Sequence, residues 1–426
     1  EPAAEVEPAA EVEPAAEVEQ VDFEAGEGLD LNCSPEVDKD GDGFPDNLDV
    51  SGPIDWSNCN LFDKDLSNLE LSGANLSGSS LYEANLDNTN LSGADLSHAQ
   101  IYKANVTDTN FTYADLSYAN LCGANVIAFD FTGADFSHAD FDHTFLMNAD
   151  LTDTIVTYTN FHDANLTKVD LSNKDLTGTI LTSSNLSDAN LSGVDLSGKD
   201  LTGTMFVGVD LSNVDLTDTI LTGADLSNTI LIGVDLSGKD LTGTSLADVD
   251  LSGKDITGTI LTNANLSNAI LTGANLTNAV LTDAILTGAN LENTVLTNAI
   301  LTGADLTNAV LTGAILTETN LENTVLTNAI LNCVGHSVCT PTGVELHGKD
   351  LSYRNLAGVD MSGMDLTGTI LTGADLSNTI LIGVDLSGKD LTGTIITGVD
   401  LSSTNLTNAI LTNANLENII LENAKL

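Results

Sequence analysis

The sequence predicts an all-β protein built as a β-solenoid, and three observations carry that prediction. A large apolar residue recurs at every fifth place, in phrases such as Ala74-Asn75-Leu76-Ser77-Gly78 and Ala94-Asp95-Leu96-Ser97-His98. Asp or Asn usually precedes that central residue, and Ser or Thr usually follows it. Aromatic residues are few, at 4% of the chain, so the core must be filled by stacked Leu, Ile and Val, which suits a narrow solenoid. An amphipathic helix repeats its apolar face every three to four residues and a half-buried strand every two, so neither keeps one residue in five inside. A chain that turns a corner after each short extended segment does, with successive coils stacked at roughly 4.8 Å.

Residues 1–18 repeat Glu-Pro-Ala-Ala-Glu-Val, without large apolar side chains to offset the entropy of ordering. Residues 1–20 are therefore expected to form a disordered acidic tether, in which Pro2, Pro8 and Pro14 interrupt any helix. Residues 21–60 are expected to hold a calcium loop and an N-terminal cap.

Residues 38–49 read Asp-Lys-Asp-Gly-Asp-Gly-Phe-Pro-Asp-Asn-Leu-Asp. Carboxylates at loop positions 1, 3 and 5, Gly at 6, and acids at 9 and 12 are what Ca2+ needs: hard oxygen ligands converging around a sharp turn. The expected ligands are the side chains of Asp38, Asp40, Asp42 and Asp49, the backbone carbonyl of Phe44, and Asp46 directly or through water. Asp at position 12 and Pro at position 8 depart from the EF-hand pattern. The segment resembles more closely the aspartate-rich calcium repeats of thrombospondin type 3 and dockerin modules, which implies an extracellular setting and a calcium-stabilised junction. An acidic, solvated turn is the alternative. Trp56, the single tryptophan, is the expected plug over the first coil, whose apolar interior and unpaired edges need a cap.

From Leu61 to Leu331 the central residue advances without a skipped register through 55 units, and from Leu346 to Leu426 through 17 more. This array resembles the pentapeptide-repeat family, whose motif is a small residue, Asp or Asn, Leu or Phe, Ser or Thr, and a variable residue. The resemblance implies a right-handed quadrilateral β-helix with four pentapeptides per coil. On that basis the array forms about 18 coils and a rod of roughly 85 Å. Phe111 with Phe131, and Phe141 with Phe161, stand twenty apart, as stacked rings would. The family pattern also points Cys122 outward, as a lone surface thiol.

The array is broken at residues 332–345. Asp215 to Thr244 recurs as Asp365 to Thr394 with one change, Asp218 to Gly368, at an offset of 150 residues or seven and a half coils. Extruding ten residues as a side loop makes the offset seven whole coils. Of the five cysteines, Cys333 and Cys339 are expected to close that loop and Cys33 and Cys59 to hold the cap, which implies an oxidising compartment. Inert thiols in a reducing compartment are the alternative. A metal site with His336 would lack a fourth ligand.

Within the array, the small inward position two before the central residue holds Lys64, Lys174, Lys199, Lys239, Lys254, Lys349, Lys389 and Arg354. A buried unpaired ammonium is costly, so these side chains are expected to snorkel outward or to pair with the Asp that follows each Lys, as local charge balance at the corners, with a functional basic row as the alternative. Ile260, Val280 and Ile300, and likewise Val310 and Ile330, replace the usual Asp or Asn at intervals of twenty. They are expected in outward columns, as a contact surface or as drift in a repetitive sequence. Leu426 ends the array on a central position, an open sheet edge able to pair with another copy. His98 and His138, forty apart, are expected to share a face.

The formal net charge of −50, from 12 Lys and Arg against 62 Asp and Glu, argues against direct nucleic-acid binding through a basic patch. No apolar run approaches the ~20 residues of a membrane span. The start at Glu1 without Met fits a processed secreted protein or a trimmed chain. No Ser-His-Asp, paired-acid or phosphate-loop arrangement rises above the repeat, so no enzyme is expected. The leading expectation is an extracellular or cell-surface bacterial scaffold that forms a homo-oligomer or filament, or binds another protein. The family resemblance also implies a second reading, a DNA-mimicking binder of a nucleic-acid enzyme such as gyrase. A third is ice binding by flat rows such as Thr262, Thr282 and Thr302.

Overall fold

The computed structural model describes residues 54–124, 130–316, 319–321, 324–326, 329, 346, 348, 351–353, 356–359, 361–362 and 364–426. None of these residues is helical. The recurring contact is an isolated parallel bridge to the residue twenty places on, from Asp55 with Asn75 to Asp305 with Val325, and again from Asp375 with Ile395 to Asn405 with Lys425. A coil therefore closes in four pentapeptides, one per side, which makes the chain a quadrilateral β-solenoid.

Each corner is made locally. The side-chain oxygen of Asp95 accepts the Ser97 amide at 3.0 Å and the Ser97 hydroxyl at 2.7 Å, an Asx turn that folds the chain back on itself. The Ala74 amide then donates to the Leu71 carbonyl at 3.0 Å, closing a four-residue turn. The third residue of such a turn has φ near +60°, which Gly, Asn and Asp accept at the least steric cost.

Coils are joined by backbone bonds along the rod. The Leu76 amide donates to the Asp95 carbonyl at 2.7 Å and the Asp95 amide to the Ala74 carbonyl at 2.9 Å. The central residues and the small residues two before them form an apolar core running from Trp56 to Leu406. Phe111 and Phe131 stack as their spacing predicts, centred 5.3 Å apart, and Phe141 and Phe161 lie 5.5 Å apart with their rings tilted by 36°. Phe136 meets Phe131 edge-on at 4.9 Å, filling the same section of core.

The ladder begins below Leu61. The Trp56 amide donates to the Asn75 carbonyl at 2.8 Å and its side chain is buried, so Trp56 is the central residue of a regular coil rather than a plug laid over one. Four faces can be named by their central residues, each repeating every twenty: face 1 from Leu61, face 2 from Leu66, face 3 from Leu71 and face 4 from Leu76.

The ladder is not closed equally along the rod. With Ala264 inward, the Asn265 amide reaches the Thr244 carbonyl at 2.9 Å. On face 4 the inward residues are Lys174, Val194, Val214 and Val234, and the following Asp175, Asp195, Asp215 and Asp235 form no bridge. After inward Lys174, Val194, Val214 and Val234 the Asp amide makes no bond to the preceding coil, whereas after inward Thr259 the Ile260 amide still reaches the Lys239 carbonyl at 2.9 Å.

Candidate interaction surfaces

The residue before each central Leu faces solvent and sets the charge of its side. On face 4, nine of the fourteen positions of this kind from Asp55 to Ile315 are Asp, five of them consecutive from Asp175 to Asp255. Face 3 has six acids in thirteen positions from Glu70 to Val310. Face 1 has three in the fourteen from Asn60 to Asn320, namely Asp140, Asp200 and Asp240, and face 2 has Asp65, Asp225 and Asp305. The rod thus has an acidic side and a nearly neutral one. The Thr177 and Thr217 hydroxyls and amides hold the Asp175 and Asp215 carboxyls below the usual range, and the Ser197 and Ser237 amides and hydroxyls do the same for Asp195 and Asp235.

Face 1 carries three aliphatic residues in consecutive coils at the position before the central Leu. Ile260 bridges Val280, and Val280 bridges Ile300, with Ile260 38% and Ile300 39% exposed. Across the buried Leu261, Leu281 and Leu301 runs a file of threonine that is unbroken in seven coils, from Thr182 to Thr302. The same file starts with stacked Phe62, Tyr82 and Tyr102, at centroid distances of 5.3 and 5.4 Å. Val310 bridges Asn290 on face 3, so the two aliphatic columns read from the sequence lie on opposite faces. Leu426 is exposed.

Lys174, Lys199, Lys239, Lys254 and Lys389 reach backbone carbonyls rather than the Asp that follows each of them. Lys174 Nζ donates to the Thr154 carbonyl at 2.9 Å, Lys199 Nζ to those of Leu176 at 2.6 Å and Thr179 at 3.3 Å, and Lys389 Nζ to that of Thr369 at 2.7 Å. Lys239 reaches the Leu216 carbonyl at 2.5 Å and Lys254 the Val234 carbonyl at 3.2 Å. Each acceptor belongs to the preceding coil, where the opened ladder leaves carbonyl oxygens in reach. Burial pushes the Lys174, Lys199 and Lys389 ammonium groups below their ordinary range. Clefts of about 620 Å³ beside Lys174 and about 450 Å³ beside Lys389 are lined by equivalent residues, including Thr152, Thr154 and Asp170 in one and Thr367, Thr369 and Asp385 in the other.

His98 and His138 do share a file, and Tyr118 and Tyr158, which sequence reading overlooked, complete it. The rings stack nearly parallel at 4.8, 4.5 and 4.7 Å, in the order His98, Tyr118, His138, Tyr158. All four sit at corner positions with φ near +60°, strained for bulky side chains, and ring stacking compensates. The file ends at Gly178, where a Cβ would lie 2.2 Å from the Tyr158 ring.

Nearby, the His143 ring lies between Asp142 at 2.7 Å and Asp163 at 3.2 Å. Cys122 is half-buried rather than fully outward, and its thiol is pushed up to about 11 by burial first and then by the Asp140 and Asp142 carboxylates. Among the described residues no three His, Cys, Asp or Glu side chains are arranged to hold a metal ion. Nor is any helix there long and apolar enough to cross a membrane.

Cys59 is fully buried in the first coil. The tether, Cys33, the calcium-loop residues Asp38, Asp40, Asp42, Phe44, Asp46 and Asp49, Ile330, Cys333, Cys339, Lys349 and Arg354 lie outside the described residues.

A family model for pentapeptide repeats matches the chain in successive segments that together run from residue 59 to 334, and again from 350 to 423. No curated protein matches the sequence. Among solved structures the chain is similar to HetL, a pentapeptide repeat protein involved in heterocyst differentiation regulation from the cyanobacterium Nostoc sp. strain PCC 7120. That likeness is 25% identical, covers 62% of this chain and 88% of HetL, and has a TM-score of 0.23. QnrB1, a plasmid-mediated fluoroquinolone resistance protein, is 18% identical over 50% of this chain and 89% of its own, with a TM-score of 0.20. A pentapeptide repeat protein from the Arabidopsis thaliana thylakoid lumen is 30% identical over 31% of this chain and 68% of its own, with a TM-score of 0.10. With the family model matching most of the sequence and its five-residue motif building every described coil, this chain belongs to the pentapeptide-repeat family.

Proposed function

We propose that this protein is a non-enzymatic structural scaffold of the bacterial surface or exterior, a right-handed rod of about 18 coils that self-associates. The observation that carries this reading is the outward aliphatic file of exposed Ile260, half-buried Val280 and exposed Ile300 on a chain of net charge −50, since contiguous apolar surface in contact with solvent marks contact sites. Among the described residues the same repeat chemistry recurs from coil to coil, which supports a structural rather than a catalytic reading.

In the same reading Ca2+ held by Asp38, Asp40, Asp42, Asp46, Asp49 and the Phe44 carbonyl stiffens the junction between tether and rod. Bridges Cys33–Cys59 and Cys333–Cys339 secure the first coil and the side loop. Electron microscopy and light scattering of the purified protein, with calcium and with chelator, test this. Associated rods are expected, and a monomer at high concentration under both conditions overturns it.

The concentration of Asp on faces 3 and 4 favours a second reading, a DNA-mimicking binder of a nucleic-acid enzyme such as gyrase. Inhibition of supercoiling by the purified protein would support it, and its absence would dismiss it.

A further inference from the structure

We infer that face 1 is the surface through which two copies pair side by side, running antiparallel about a two-fold axis at Val280; this rests on the self-association proposed above.

Charge selects the region. Two copies of a chain with a net charge of −50 repel one another wherever their acidic sides meet. From Ile256 to Leu316 only Asp283, Glu292 and Asp305 are charged, so this stretch is where like-charge repulsion is weakest.

Continuity selects the face. Within that stretch face 2 interrupts its aliphatic residues with Asn265 and Asp305, face 3 with Asn290, and face 4 begins with Asn275. Face 1 presents Ile260, Val280 and Ile300 in consecutive coils beside Thr262, Thr282 and Thr302, with Asp240 one coil before the file and Asp283 at the corner.

Periodicity selects the occupant. Side chains along the file repeat at the strand spacing of roughly 4.8 Å, and a second copy has the same repeat, so its side chains can seat between them over the whole contact. A surface without that repeat falls out of step within a few coils.

The antiparallel sense follows from the flanks. A two-fold axis at Val280 lays Ile260 of one copy against Ile300 of the other, an isologous and closed contact. Two parallel copies in register would instead set Asp140, Asp200 and Asp240 of face 1 against their own twins.

The test uses the full chain and sedimentation equilibrium. Asp is the commonest residue at these outward positions on face 4, so Ile300→Asp keeps the fold, which circular dichroism checks. Ile300→Asp is expected to weaken association at least tenfold, while Val310→Asp on the opposite face leaves it unchanged. Val280→Cys is expected to give a disulfide-linked dimer under mild oxidation, whereas Thr242→Cys, about four coils or ~19 Å from its twin in the antiparallel pair, is not. Equal weakening by the two Asp variants overturns the face assignment alone, and cross-linking of Thr242→Cys overturns the antiparallel sense. A monomeric wild type overturns this inference together with the reading on which it rests.

Discussion

The half-buried thiol of Cys122 shows how much a solenoid corner changes a side chain that sequence alone places at the surface. With its thiol near 11 instead of the ordinary 9.0, it has about a hundredfold less thiolate at neutral pH. Disulfide reagents are therefore expected to label Cys122 slowly, as followed by peptide mass mapping. Asp142→Asn removes a carboxylate that opposes ionisation, so it should lower the thiol's value and speed labelling. Core positions obey a simpler rule. Leu266 is fully buried, and Leu266→Ala should cost about 2–5 kcal/mol in denaturant unfolding, because the stacked coils leave little freedom to close the cavity. The central Leu residues were legible from sequence because their period is local. The lysine acceptors were not, because Thr154 and Thr369 lie twenty residues from Lys174 and Lys389, whereas the neighbouring Asp is merely next in the chain.

At the scale of the element, the open stretch of face 4 is the informative feature. Amides of Asp175, Asp195, Asp215 and Asp235 lack the ladder bond that Asp225 makes to Thr204 at 2.9 Å and Ile260 makes to Lys239 at 2.9 Å. Hydrogen exchange is expected to be at least tenfold faster at the four open amides than at Asp225 and Ile260, and equal protection would contradict the role given to inward Val and Lys. The aspartate files also set the acid limit of the fold. Carboxyls such as Asp195, Asp215 and Asp235 sit below their unfolded value near 3.8, so the stability they contribute is complete above that value and is lost as pH falls through the lower folded values. Asp140, raised by burial, acts in the opposite direction, its penalty being relieved as it protonates. Thermal melts should therefore hold steady from neutral pH down to about 4 and drop below it, the many lowered groups among the described residues outweighing Asp140. The repeat phase of these files was plain in the sequence, whereas the open ladder was not, since it depends on how inward Val and Lys meet the preceding coil.

For the whole molecule, the governing quantity is a net charge of −50 spread unevenly around a rod. If copies pair through neutral face 1, added salt should strengthen association by screening the remaining repulsion, with the Debye length falling from about 30 Å at 0.01 M to about 8 Å at 0.15 M. Light scattering across that range checks this, and weakening with salt would indicate an ionic interface instead. The sequence by itself determined the five-residue period, the buried central residue, the turn chemistry at each corner and the family, because each is written within a few neighbouring residues. Phenylalanines at intervals of twenty agreed with the coil length that the family resemblance implied. Only the tertiary structure decided which side chains meet. It joined His98, Tyr118, His138 and Tyr158 in one ladder, set Ile260 and Val310 on opposite faces and turned the lysines toward the carbonyls of the preceding coil. The physical reason is that contacts in a solenoid run along its axis, between residues a full coil apart, where local propensity has nothing to say and the fit of neighbouring side chains decides.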